Sequence, residues 1–191
     1  PVADSGGLAD VAGSLPKALV EEGHEACVVV PLYVNTIKQQ WRDQMTYVTN
    51  FSVPVGWRNQ YCGLFTAKIN NVTYYFLDNE YYFKRDFGLY GYYDDAERYA
   101  FFSRAVLEML KVKPQIINSN DWQCALIPVY YSIFYRNDEK LWGIKNVFTI
   151  HNIQYQGRYG MEILEDVLGI PKHFASLMEY DRDINLMKAA I

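Results

Sequence analysis

Several features typical of nucleic-acid-binding, membrane and secreted proteins are scarce or missing in this sequence. Basic residues form no run and the net charge is −4, so no long-range field would attract a polyanion. No uninterrupted apolar stretch is long enough to span a bilayer. No signal peptide is visible, although the chain begins at Pro1 without a methionine. These absences favour a cytoplasmic protein that binds neither nucleic acid nor a membrane.

Cysteine and histidine are also few. The three cysteines, Cys27, Cys62 and Cys124, lie far apart and are odd in number, which argues against a disulfide framework and favours reduced thiols. The three histidines, at positions 24, 151 and 173, share no ligand spacing with one another. The sequence therefore predicts no metal site.

What the chain does contain is a large apolar fraction, 50% of 191 residues, enough for one sizeable core. Gly6 and Gly7 open a helical pattern that should stop near Glu22-Gly23. Pro16 should kink this helix or mark a restart with Ser14 as N-cap. The apolar run 26–30 then predicts a strand buried on both faces and ended by a proline.

A two-residue period between positions 47 and 78 predicts a β-rich insertion of antiparallel strands, with Asn70-Asn71 as a tight turn. Strands and helices then alternate, with helices at 94–111 and 121–135, strands at 115–118 and 146–150, and a last helix over 181–191. This alternation predicts the α/β class: a Rossmann-like parallel sheet with helices on both faces and a β-hairpin insertion.

Three polar segments lie where ligands bind in such sheets, beyond the carboxyl ends of strands. The segments are 4–10, 118–125 and 151–157. Paired glycines before a helix can hold an anion, although such a pair often makes only a tight turn. Asp121 or Asn120 could simply cap the next helix. His151, directly after a strand and ahead of a polar loop, is better placed to meet a ligand.

Four stretches together resemble bacterial glycogen synthases and plant starch synthases. They read SGGLADV with GSLPKAL, NDWQCALIP, FTIHNIQYQG and, more loosely, YYDDAERYA from position 92. They follow the order and approximate spacing of that family, and the resemblance covers essentially the whole chain.

The resemblance implies a GT-B glycosyltransferase, which has two Rossmann-like domains facing across a cleft. It implies transfer of glucose from ADP-glucose to the non-reducing end of an α-1,4-glucan, with retention and with no metal or other cofactor. Residues 1–191 would be a single N-terminal, acceptor-side domain that lacks its first strand and the C-terminal nucleotide-binding domain, and this domain alone would be inactive. UDP-glucose remains the alternative donor.

The resemblance also implies roles for particular residues. Gly6 and Gly7 would pack their amides against the donor diphosphate and stabilise the leaving group, and His151 would contact the transferred glucose as the catalytic residue. Positions near the sugar and the acceptor would be Asp121, Tyr92, Tyr93, Asn152 and Gln156. Trp122 could stack on the glucan or fill the core, and the core is favoured. The glycine loop and the His151 loop should converge on one rim of the sheet.

Two departures from the family pattern stand out. Asp4 occupies the place of the usual lysine beside the glycine pair, where a negative charge would repel a diphosphate if it pointed inward. Asn120 and Gln123 lie on either side of Asp121-Trp122, at the two places where the family pattern has histidines. Both amides can still hydrogen-bond to sugar hydroxyls, but neither titrates near neutrality.

Other readings compete with this one. With 17 tyrosines and Trp122, the chain could be a non-catalytic glucan-binding module. A dinucleotide-dependent oxidoreductase lacks support because no Gly-x-Gly-x-x-Gly follows the first strand. A sucrose-synthase-like transferase is the nearest enzyme alternative, and the combined signatures argue against it.

Overall fold

The computed structural model describes residues 6–110 and 113–191. The chain forms two compact units, one made of residues up to Phe51 with Tyr61–Gly91, and the other of Ser52–Gln60 with Tyr92–Ile191. Both contain helices and a pair of parallel strands, which confirms the predicted α/β class.

The elements follow in chain order. The α-helices are α1 Gly6–Glu21, α2 Gln39–Arg42, α3 Glu80–Phe83, α4 Asp95–Glu108, α5 Leu126–Tyr130, α6 Ile163–Asp166, α7 Ala175–Met178 and α8 Leu186–Ala190. The strands are β1 Cys27–Pro31, β2 Thr46–Val55, β3 Arg58–Ile69, β4 Val72–Asp78, β5 Ile116–Asn120, β6 Lys145–Thr149, β7 Arg158–Tyr159, β8 Glu179–Tyr180 and β9 Asp183–Asn185. Short 3-10 turns cover Trp122–Cys124 and Lys172–Phe174, and a π-helical turn, Tyr131–Tyr135, continues α5.

The first unit is built on a four-stranded sheet in the order β1-β4-β3-β2. β1 runs parallel to β4, with Cys27 opposite Thr73 and Pro31 opposite Leu77. β3 and β4 are antiparallel, as the two-residue period predicts. The core of this unit is a cluster of buried side chains: Leu32, Ile37, Ala67, Ile69, Val72, Tyr74 and Phe76.

The turn between β3 and β4 confirms the sequence prediction. Asn70 and Asn71 have φ of 50° and 65°, the left-handed pair that a two-residue hairpin turn needs. Asparagine tolerates this conformation better than other residues with a Cβ, which is why the pair could be identified from sequence.

Two expectations for the first unit fail. Of the alternatives at Pro16, the restart at Ser14 is wrong: α1 is one helix with Pro16 inside it, and the Ser14 hydroxyl donates to the Asp10 carbonyl at 2.7 Å instead of capping. A kink at Pro16 stays a prediction. β1 is only half-buried because it is the terminal strand of the described sheet and has one neighbouring strand, β4, rather than two.

The second unit contains the parallel pair β5 and β6, with Ile116 opposite Lys145 and Asn120 opposite Thr149. α4 packs against α5 beside this pair. Buried aromatic and aliphatic side chains from these helices form the core, among them Tyr99, Phe101, Leu126 and Tyr130. The polar ends of the two strands therefore lie side by side, as the parallel arrangement requires.

The predicted helix over 181–191 is only half correct. Asp181 and Arg182 have φ of 55° and 67°, which turns the chain into a hairpin between β8 and β9. The helix α8 begins after Asn185, whose side chain accepts a hydrogen bond from the Lys188 amide. The turn at these two residues needs positive φ and interrupts the predicted helix. The spacing of the apolar residues does not indicate such a turn.

Two further observations bear on the classes of protein considered above. No helix within the described ranges is both long and apolar enough to cross a membrane. All three cysteines lie in the described part of the chain and none is disulfide-bonded, as predicted.

Candidate active site

The site is organised around Asp121, the residue that follows β5. Its backbone has φ 58° and ψ 179°, a conformation found almost only in glycine. The Asp121 amide donates to the Thr149 carbonyl at 2.9 Å, and its own carbonyl accepts from the Cys124 amide at 3.0 Å. The strain is therefore held in place by contacts on both sides of the residue.

The Asp121 carboxylate supports the loop that follows β6. Its Oδ1 accepts a hydrogen bond from the His151 amide at 2.7 Å and another from the Asn152 amide at 3.3 Å. It makes no capping bond to the helical turn after it. The capping alternative is thus wrong for this residue, because a buried carboxylate (8% exposed) binds the two loop amides instead.

The His151 side chain is exposed and its ring position is set by one neighbour. Its Nε2 lies 2.9 Å from Oδ1 of Asn120, the last residue of β5. The Nδ2 of Asn120 donates to the Asn118 carbonyl at 3.3 Å. Asp121 therefore holds the histidine backbone, and Asn120 holds its ring.

The rest of the loop is tied to Asn185, the residue before α8. The Asn152 Oδ1 accepts from the Gln154 amide at 3.0 Å, a local turn. Gln156 donates through Nε2 to the Ile153 carbonyl at 3.0 Å and accepts through Oε1 from the Asn185 side chain at 2.6 Å. Both polar ends of Gln156 are thus engaged within the protein.

Trp122 lies in the core, as expected. It is 8% exposed, and its ring meets Tyr99 edge-on at 5.2 Å between centroids. Tyr159 lies against its other side at 6.4 Å, and burial raises the pKa of that phenol. Because protein side chains cover the indole, we assign Trp122 to core packing next to Asp121.

Tyr92 and Tyr93 lie just before α4. The Tyr92 amide donates to Asp95 Oδ2 at 3.1 Å, and the ring lies 4.9 Å from the guanidinium carbon of Arg98, which is itself fully buried. Tyr93 is 92% exposed. Contact of either ring with a sugar stays a prediction.

The glycine pair belongs to the first unit. α1 begins at Gly6, and a Cβ added at Gly7 would meet no described atom within 4 Å. Packing within the described chain therefore does not demand glycine at position 7, and a role in close ligand approach stays a prediction. Convergence of this pair with the His151 loop also stays a prediction, and Asp4 lies outside the described residues.

Sequence reasoning missed two contacts that shape this site. Asn120 was noted for its departure from the family pattern and not as the partner of the His151 ring. Asn185, which joins Gln156 to α8, was placed inside a helix. The pairing of residues 120 and 149 across β5 and β6 is the signal that would have brought Asn120 next to position 151.

Comparisons with known proteins agree in pointing to one family. A family model described as the starch synthase catalytic domain matches residues 1–191. The glycogen synthase of Exiguobacterium sibiricum is 48% identical over 198 residues, and that of Lactobacillus acidophilus is 45% identical over 196 residues. Each match covers 100% of this chain and 41% of the relative, so the chain spans about two fifths of their length.

A solved structure gives the same answer. The catalytic domain of starch synthase IV from Arabidopsis thaliana, bound to ADP and acarbose, is 29% identical with a TM-score of 0.86. The match covers 100% of this chain and 40% of that one. On the full-length match of the family model and the agreement of these relatives, the chain belongs to the starch synthase catalytic domain family.

Proposed function

We propose that this chain provides the acceptor-side part of a retaining glycosyltransferase that moves glucose from ADP-glucose to the non-reducing end of an α-1,4-glucan. Its family membership supports the reaction class. The relatives named glycogen synthase and the starch synthase solved with ADP support the glucan and the adenine nucleotide. UDP-glucose is the competing donor.

The observation that carries the proposal is the fixed imidazole of His151. It is exposed just beyond the carboxyl end of a parallel strand, while Asp121 and Asn120 hold its backbone and ring. A group held in place before the substrate arrives loses little freedom as the transition state forms, so its contact can tighten there. His151 is therefore assigned to the transferred glucose.

The remaining residues are assigned the roles that the family resemblance gives them. Gly6 and Gly7, at the start of α1, offer amides and a helix N-terminus to the donor diphosphate, on which negative charge grows as the glycosidic bond breaks. Tyr92, Tyr93 and Asn152 are assigned to the sugar and the acceptor. Asp121 and Gln156, whose side chains are engaged with the loop, would act there chiefly by holding it.

The proposed enzyme also needs a partner domain. In a GT-B transferase the nucleotide is held by a second domain, and the relatives are about two and a half times as long as this chain. The reaction as proposed uses no cofactor, and a cytoplasmic setting fits its sugar-nucleotide donor.

The test is glucose incorporation into glycogen by the full-length product of the gene, assayed with ADP-glucose and with UDP-glucose. His151→Ala should lower turnover by about 10²–10³-fold or more, the usual cost of losing one transition-state contact of this kind. His173→Ala, at another exposed histidine, is the matched control and should stay near the unmodified rate.

Two outcomes would contradict the proposal. A His151→Ala variant within a few-fold of the unmodified enzyme would remove His151 from the reaction. Binding of maltooligosaccharide without transfer from either donor would instead support the glucan-binding module.

A further inference from the structure

We propose that Asn120 is a positioning residue that holds His151 as the Nε2–H tautomer and leaves Nδ1 as a hydrogen-bond acceptor for a sugar hydroxyl. This inference rests on the proposed function of His151. It assigns Asn120 a role in the site and states which chemical group the imidazole recognises.

The first step is the orientation of the Asn120 amide. Its nitrogen donates to the Asn118 carbonyl at 3.3 Å, and a carbonyl can only accept. The NH₂ group must therefore face Asn118, which turns the amide oxygen toward His151. A flipped amide would set the Asn120 oxygen against the Asn118 carbonyl, two acceptors with no proton between them.

The second step follows from the histidine contact. The Asn120 oxygen lies 2.9 Å from Nε2, so Nε2 must carry the proton that joins the two atoms. In a neutral imidazole only one nitrogen is protonated. Nδ1 then presents a lone pair, and the ring is exposed, so this lone pair is available to a bound molecule.

The third step is the kind of group that such a nitrogen recognises. A neutral Nδ1 accepts a hydrogen bond and so suits a hydroxyl, whereas a phosphate oxygen needs a donor. The tautomer set by Asn120 therefore directs His151 to the hydroxyls of a sugar and away from the charged oxygens of a diphosphate. Asp121 contributes separately, because it fixes the backbone and not the proton.

The test is nitrogen-15 NMR of the full-length gene product labelled at histidine, at about pH 9, where an ordinary imidazole is neutral. The His151 signals are assigned by their loss in His151→Asn. The unmodified protein should show protonated Nε2 and unprotonated Nδ1. Asn120→Ala should give a mixture of tautomers and lower kcat about tenfold, the value of roughly one hydrogen bond.

One further variant separates positioning from general damage. Ile116→Ala removes an exposed side chain at the other end of the same strand, so it should leave both the tautomer and kcat unchanged.

The outcomes for this inference and for the proposed function are distinct. A protonated Nδ1 in the unmodified protein, or an unchanged tautomer in Asn120→Ala, overturns the inference and leaves the assignment of His151 intact. Full activity in His151→Ala overturns the proposed function, and with it the sugar contact, whatever the tautomer.

Discussion

The Asp121 carboxylate accepts a hydrogen bond from the His151 backbone amide at 2.7 Å, and the backbone of Asp121 has φ 58°. The two facts are connected. An aspartate in this conformation costs about 1–3 kcal/mol, and the charge-assisted bonds to the loop amides offset that cost. The strained residue and the candidate catalytic histidine therefore form one structural unit across β5 and β6.

Asp121→Ala should therefore be costly. It removes the acceptor of two amides but keeps a Cβ at positive φ, so we expect a loss of about 2–3 kcal/mol in the free energy of unfolding and at least a tenfold fall in kcat. Asp121→Asn keeps an acceptor oxygen and should lose about 1 kcal/mol. Urea unfolding and the transfer assay measure both effects, and equal stability of the alanine variant and the unmodified protein would contradict this account.

Gly157→Ala, at the far end of the loop that begins with His151, should destabilise the protein. Gly157 has φ 65°, and a Cβ there would lie 2.8 Å from Trp122 Cε3 and 3.1 Å from Leu186 Cδ1. Backbone strain and overpacking together should lower the free energy of unfolding by about 2–4 kcal/mol.

The matched control for that prediction is Gly13→Ala. Gly13 lies inside α1, and an added Cβ would meet no described atom within 4 Å. The same substitution there should stabilise the helix by about 0.5–1 kcal/mol. Thermal unfolding compares the two, and a stable Gly157→Ala variant would show that Trp122 is not held as described.

The thiols of Cys62 and Cys124 predict how the free energy of unfolding depends on pH. Burial raises the pKa of Cys62 to about 12 and that of Cys124 to about 11, from an ordinary value of 9.0. Above about pH 9 the unfolded chain loses thiol protons that the folded chain keeps, so the free energy of unfolding should fall as pH rises from about 9 toward 11.

Urea titrations at a series of alkaline pH values measure this decline. Cys124→Ala should make the decline shallower, because one of the shifted thiols is gone, whatever the variant does to stability near neutrality. A decline of the same steepness in the variant would assign the effect to other groups, such as the buried phenol of Tyr130, whose pKa burial also raises.

Much of the fold could be predicted from local pattern. The α1, β4 and α4 segments, the Asn70-Asn71 turn and the β5 and β6 pair follow from apolar periodicity and turn chemistry, which act between neighbours in sequence. The family resemblance added the reaction class. His151 was singled out because a polar residue directly after a buried strand can be recognised without knowing its partners.

What could not be predicted depends on contacts between distant residues. Capping of the next helix was only one alternative for Asp121, and its bond to the His151 amide crosses thirty positions of sequence. The hairpin at Asp181-Arg182 depends on two positive φ values, and arginine rarely adopts such a conformation. Local propensity carries no information about either, because tertiary contacts decide them.

Asn185 joins three pieces of the molecule through one amide. Its oxygen caps α8 at the Lys188 amide, and its nitrogen donates to Gln156, while Leu186 and Met187 return backbone bonds to Gly157 and Gln156. The loop that carries His151 is thereby anchored to the start of α8. A substitution that disturbs the first turn of α8 would therefore also loosen that loop, even though it lies away from the His151 side chain.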